Sequence, residues 1–187
     1  LHAEQAISGM GQQIDSVTSN SGFAAPGQLS VAGDLSLQAG YFTGTHGATT
    51  RIDASGHQLS LSALGKLPEN PAIGLGVSWS VSADVIQGSG RFLLPSGILT
   101  LHAKTGAIDL QDATLIDVSG RVIGFADTVK YSAGGSVSLL AGNGDVNLAD
   151  DARVYLGGAK NAASSRQASD AGHLTVQAAQ GKFNWKG

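Results

Sequence analysis

Six times along this chain a single Ser or Thr stands between two aliphatic residues, in most copies shortly after a glycine. The copies are Leu29-Ser30-Val31, Leu35-Ser36-Leu37, Leu59-Ser60-Leu61, Leu99-Thr100-Leu101, Val137-Ser138-Leu139 and Leu174-Thr175-Val176. Along a β-strand successive side chains point to opposite faces, so each triplet turns its aliphatics to one side and its hydroxyl to the other. Recurrence of this kind marks a chain that stacks one strand unit on another. No helical period competes over a long window, except at residues 1–18, where Glu4–Ile7 and Met10–Val17 suit a short helix or an irregular lead-in.

Aligning the copies exposes a longer unit. From Gly97 it runs Leu99-Thr-Leu101, a turn ending at Gly106, Ile108-Asp-Leu110, then Ile116-Asp-Val-Ser-Gly120-Arg121. The next copy gives Val137-Ser-Leu139, Val146-Asn-Leu148 and Val154-Tyr-Leu156, and the last gives Leu174-Thr-Val176 and Phe183-Asn-Trp185. Ile52-Asp-Ala-Ser-Gly56 and Ile86-Gln-Gly-Ser-Gly90-Arg91 resemble the third segment. Three short strands with glycine turns and inward aliphatics are what a parallel β-helix requires. We read an all-β solenoid of roughly five coils over 27–187, with 1–26 as lead-in and insertions at 62–96, 121–134 and 159–171.

The spacing favours a coil of about 20–25 residues enlarged by loops. Two coils per 38-residue unit is the alternative. Leu35, Leu59, Leu99, Val137 and Leu174 are expected in one inward stack, with Ser36, Ser60, Thr100, Ser138 and Thr175 aligned outside. Asp109, Asn147 and Asn184 are expected in a second outward column, and Ala107, Asp145 and Lys182 in a third. Val77 to Ala83 alternates strictly, which predicts a strand with Trp79 on its buried side.

Composition narrows the partners. Charged residues are 13% of the 187, against a usual share of about 25%, while 42% are hydrophobic and the net charge is −3. The balance gives no electrostatic footprint for nucleic acid or an anionic membrane, and no apolar run reaches the length of a membrane helix. The chain has no cysteine, which suits export through a membrane unfolded and equally suits simple under-use of a rare residue. Its start, Leu1-His2-Ala3-Glu4, has neither an initiator Met nor a signal segment, so an internal piece of a longer protein is expected.

No catalytic, cofactor or metal assignment follows from the residues, and the ligand-binding residues are unknown at this level. Asp109, Asp112 and Asp117, and Asp145, Asp150 and Asp151, cluster in sequence, but the Asp109 column continues as Asn147 and Asn184, so solvated strand-face acids are the simpler reading. Gly142-Asn-Gly-Asp145-Val146 resembles one calcium-binding nonapeptide without the tandem copies that share ions, and reads as a turn. His2, His46, His57, His102 and His173 lack metal-ligand spacing. Trp79, Tyr131, Tyr155 and Trp185 are the candidates for an aromatic sugar platform.

Segments such as Gly33-Asp-Leu-Ser-Leu-Gln-Ala-Gly40, Arg51-Ile-Asp-Ala-Ser-Gly56 and Gly134 to Leu148 resemble the repeats of filamentous haemagglutinin-like exoproteins, over roughly residues 27–185. The resemblance implies a right-handed parallel β-helix from a large secreted or cell-surface bacterial protein. It also implies export through an outer-membrane partner transporter and adhesion to a host or neighbouring-cell receptor or glycan. The family's secretion domain carries Asn-Pro motifs, whereas the single Asn70-Pro71 here lies in a loop. The chain is therefore expected to be a non-catalytic shaft, needing no cofactor, with no nucleic-acid partner and no membrane insertion. A carbohydrate-binding or polysaccharide-cleaving β-helix is the alternative.

Overall fold

A computed structural model describes residues 1–11, 26–125, 128–161 and 164–185. The described residues contain strands and turns and no helix. In chain order the strands are β1 (His2–Gly9), β2 (Gly27–Ser30), β3 (Leu35–Gly44), β4 (Thr49–Ala63), β5 (Ser78–Gly88), β6 (Arg91–Leu93), β7 (Ile98–Ala103), β8 (Ile108–Leu110) and β9 (Leu115–Asp117). They continue as β10 (Val122–Phe125), β11 (Thr128–Tyr131), β12 (Ser136–Ala141), β13 (Val146–Leu148), β14 (Arg153–Tyr155), β15 (Lys160–Asn161), β16 (Ser164–Ala168), β17 (His173–Ala178) and β18 (Phe183–Trp185). Fourteen of them form one curled sheet in which every pairing is parallel, and two antiparallel hairpins, β10–β11 and β15–β16, stand outside it.

The sheet resolves into three ladders. The first runs β2, β4, β5, β7, β12, β17, and carries Leu29, Ile52, Val81, Leu101, Leu139 and Val176 in register. A second aligns Leu35, Leu59, Ile86, Ile108, Val146 and Phe183. In the third, Ile7, Phe42, Phe92, Ile116 and Val154 are aligned. The inward residues from Leu59 to Leu148 are almost all fully buried. Between neighbouring rungs there is about 4.8 Å, so like residues meet like and a continuous aliphatic core follows from the repeat.

These registers correct the expected columns. Leu35 does pair with Leu59, but Leu59 then meets Ile86, while Leu99 lies between Trp79 and Val137. Ser36 and Ser60 accordingly share an outer column with Gln87, Asp109, Asn147 and Asn184. Thr100, Ser138 and Thr175 belong to a different one, with Arg51 and Ser80. The triplet is therefore used by two ladders. The three Ile-centred segments are likewise not equivalent: Ile52, Ile86 and Ile116 lie in the first, second and third ladders. What Ile52 and Ile116 share is a corner, where Asp53 and Asp117 accept from the backbone N–H of Ser55 and Ser119 at 3.0 Å and also bond their hydroxyls. Such Asp-x-Ser bonds bend a chain wherever it must leave a strand.

Residues 2–9 form a strand against β3 rather than a helix or irregular lead-in; the rest of the expected lead-in, 12–25, lies outside the described residues. The expected insertion at 62–96 shrinks as well. Ser78–Gly88 and Arg91–Leu93 are ladder strands, with Trp79 buried, and only the stretch between Ala63 and Ser78 leaves the sheet. The separation of 38 residues between Leu101 and Leu139 is a single rung, because a hairpin occupies the difference.

The glycine before each of the last three triplets, Gly97, Gly135 and Gly172, has a packing cause, whereas a Cβ on Gly33 or Gly56 would meet nothing within 4 Å. A Cβ on Gly135 would stand 1.9 Å from the Gly97 carbonyl oxygen, and one on Gly172 would stand 1.9 Å from that of Gly135. Backbones touch at this corner, so no side chain fits. The corner is closed by Gly97 N–H to Leu94 O (2.7 Å), Gly135 N–H to Val118 O (2.7 Å) and Gly172 N–H to Leu156 O (2.6 Å). In the first of these the chain turns through Pro95 and Ser96 alone; in the other two, hairpins β10–β11 and β15–β16 lie within the same bonded corner.

Candidate functional site

Three surface features emerge from this frame. One is the outer face of the second ladder. There Asn184 Nδ2 donates to Asn147 Oδ1 at 2.8 Å, continuing the column from Asp109. At the adjoining corner, Asp109, Asp112 and Asp150 line an open groove of about 600 Å³ with Gln111, Asn147 and Asn184. The negative charge of Asp151 raises the Asp112 carboxyl above its ordinary pKa, with a smaller contribution from Asp150. Asp151 Oδ1 also accepts the Ala113 N–H at 3.0 Å, where Ala113 is held at φ +64°. The Asp151 carboxylate therefore has a structural task at a strained turn.

The other acids singled out by sequence stand apart from this group. Asp117 is paired with Arg121 at 2.7 Å. Asp145 accepts the Lys182 N–H at 2.7 Å within the turn that resembles a calcium repeat, so its carboxylate ties one rung to the next. Among the described residues no trio of His, Asp and Glu has the arrangement of a metal site. The histidines are dispersed. His2 meets Gln38, His57 lies 4.0 Å from Asp34, and His102 and His173 sit at different places on the outer face of the first ladder.

The second feature is the pair of hairpins, at 122–131 and 160–168. Their roots are stacked: Ser169 Oγ donates to Ser132 O at 2.6 Å, Ala159 N–H to Ser132 O at 3.1 Å, and Gly134 N–H to Asp170 O at 2.9 Å. Ser96 Oγ extends the stack downward to Ala133 O at 2.7 Å. Val122 and Val129 are more than half exposed on the first hairpin.

The third is the excursion between Ala63 and Ser78, which crosses the third ladder as a strap. It omits one rung of that ladder, so Phe42 pairs directly with Phe92. Beneath it these two rings stack at 4.9 Å and Trp79 meets both edge-on, at 5.9 and 6.4 Å, with its Nε1 donating to Thr43 O at 2.9 Å. Trp79 is thus a core plug and no sugar platform, whereas Tyr155 and Trp185 are exposed at the far end of the ladders. The strap is fixed at several points. Arg91 Nη1 lies 3.0 and 2.9 Å from the Leu64 and Gly65 carbonyls, the Ala72 N–H donates to the Tyr41 hydroxyl at 3.1 Å, and the Leu75 N–H donates to His46 Nδ1 at 2.8 Å. Sequence reasoning placed an insertion here but not Arg91, Tyr41 or His46, because the residues they hold are far away in the chain.

Comparison with family models, with curated proteins and with solved structures finds no match to this chain.

Proposed function

We propose that this chain is a segment of a right-handed parallel β-helix that serves as a rigid, non-catalytic display shaft of a large bacterial surface or secreted protein of the haemagglutinin-like kind. One observation carries the reading. The corner from the third ladder to the first keeps its closing hydrogen bond at 2.6–2.7 Å whether it spans two residues or a whole hairpin. A wall that accepts insertions without changing its own geometry is suited to presenting them, and loops on a rigid scaffold are where recognition concentrates. Adhesion to a host or neighbouring cell through the hairpins, and export by an outer-membrane partner, complete the proposal. The test is adhesion of beads coated with the chain to epithelial or bacterial cells. Adhesion that falls when both hairpins are replaced by Pro-Ser, with the thermal midpoint retained, supports display. Adhesion indifferent to that exchange removes the hairpins from the proposal.

The alternative is a polysaccharide-cleaving β-helix acting at the groove of Asp109, Asp112 and Asp150. The grouping of Asp112 with two further acids along one groove favours it, since glycoside cleavage works through paired carboxyl groups. New reducing or unsaturated ends from polygalacturonate or another plant or bacterial polysaccharide, lost in Asp112→Asn, would establish this reading over the shaft.

A further inference from the structure

The strap does more than cross the third ladder. It forms one wall of a cleft of about 410 Å³ whose other wall is an irregularity in the first strand. β1 pairs with β3 through Ala3 and Ala39, then through Ala6 and Tyr41, leaving Glu4 and Gln5 together opposite the single residue Gly40. This is a β-bulge, a device that re-aims side chains and is enriched beside binding and catalytic sites. It requires a glycine on the partner, since a Cβ on Gly40 would stand 2.4 Å from the Gln5 carbonyl oxygen. Arg91 ties the two walls together: its Nη1 lies 3.3 Å from the Gly40 carbonyl as well as on those of Leu64 and Gly65.

Polar groups of several kinds converge on the cleft. The bulge contributes Glu4 and Gln5 to the lining, and the strap contributes Lys66 and Asn70 beside Pro68. Tyr41 lies at the floor, 5% exposed, its hydroxyl already oriented by the Ala72 N–H. A phenol oxygen that accepts from the strap still carries its own proton to donate. Glu4 and Lys66 leave the lining with no net charge, which favours a neutral ligand over an anion or a cation. Two amides, a carboxylate and a phenol supply the interleaved donors and acceptors that adjacent hydroxyls require.

From the bulge, the glycine and the strap we infer that this cleft binds a neutral sugar residue, a single unit of a glycan. Glu4 and Asn70 accept and donate to its hydroxyls, and Arg91 acts as a positioning residue. The inference is separate from the display reading, which stands if the cleft is empty.

The test is a ¹H–¹⁵N titration of the whole chain with D-galactose, D-mannose and N-acetyl-D-glucosamine, with N-acetylneuraminic acid as an anionic probe. Shifts confined to 4–5, 40–41 and 66–72 with at least one neutral sugar support the site. Glu4→Gln and Asn70→Ala should each then weaken binding by about tenfold. Both side chains are exposed, and an unchanged thermal midpoint confirms that folding is intact. No shift with any neutral sugar overturns the inference. So do shifts with N-acetylneuraminic acid alone, shifts centred on 109–112 and 147–150, or binding that both variants retain.

Discussion

Gly135, at a corner of the wall, and Gly124, in the β10–β11 hairpin, differ in what surrounds them. A Cβ on Gly135 meets the Gly97 carbonyl oxygen at 1.9 Å, while one on Gly124 meets nothing within 4 Å. In the wall every rung between the two ends is stacked on both sides, so position and side-chain size are set by its neighbours. The hairpins and the strap hang from that wall by a few bonds and leave their outer surfaces to sequence. The wall therefore carries the stability of this chain, and the excursions carry its freedom to vary.

The sharpest way to break this contrast is the pair Gly135→Ala and Gly124→Ala. We expect the first to cost more than about 4 kcal/mol, an exceptional value for one methyl group, and the second to stay within about 0.5 kcal/mol in chemical denaturation. Comparable losses would erase the distinction between wall and excursion. Next in size is Leu99→Ala, in a fully buried position, which should cost about 2–5 kcal/mol. Its counterpart Val122→Ala, on a side chain 55% exposed, should be close to neutral. Exchange of residues 119–134 for Pro-Ser, the linker between Leu94 and Gly97, should leave the midpoint within a few degrees. A collapse would show that the hairpin root is part of the core.

Much of the wall was legible from the triplets alone. Leu99, Val137 and Leu174 do share a column, as do Asp109, Asn147 and Asn184. Which ladder a triplet joins was not legible, because Leu-Ser-Leu satisfies the first and second ladders equally. The choice rests on corner length and on whether two turns can touch, as Gly135 shows. Leu35 and Leu59 therefore stack on Ile86 in the second ladder, apart from Leu99 in the first. The polar cleft was hidden more deeply. A bulge at Glu4 and Gln5 leaves no periodic mark, and Arg91 carries the same local sequence as Arg121. Yet Arg121 pairs with Asp117, whereas Gln87 occupies the corresponding place before Arg91, whose guanidinium instead reaches backbone carbonyls.

Smaller effects come from the charged corners of the wall. The Gly56 N–H, followed by the Thr105 hydroxyl, holds Asp84 below the ordinary carboxylate range, and Ser55 does the same for Asp53 through its hydroxyl and its N–H. Folded, these groups bind fewer protons than unfolded, so their contribution is complete above the unfolded value and is lost as pH falls through the folded one. Asp112, raised by Asp151, behaves oppositely: its contribution is present in acid and is lost as pH rises through its raised value. Asp84→Asn should therefore lower the thermal midpoint near neutral pH and leave it unchanged in strong acid, whereas Asp112→Asn should raise it near neutral pH. The reverse order of signs would show that these corners are not held by the bonds described.

Residue-resolved hydrogen exchange tests the central contrast most directly. Backbone amides of the buried rungs of all three ladders, Leu59 to Leu148, should exchange together and most slowly, as one cooperative unit. Amides of 64–77 and of the outer edges of the hairpins should exchange sooner by local opening. Ladders that exchange in separate blocks, or a strap protected as well as the wall, would contradict the account of one rigid scaffold with independent excursions.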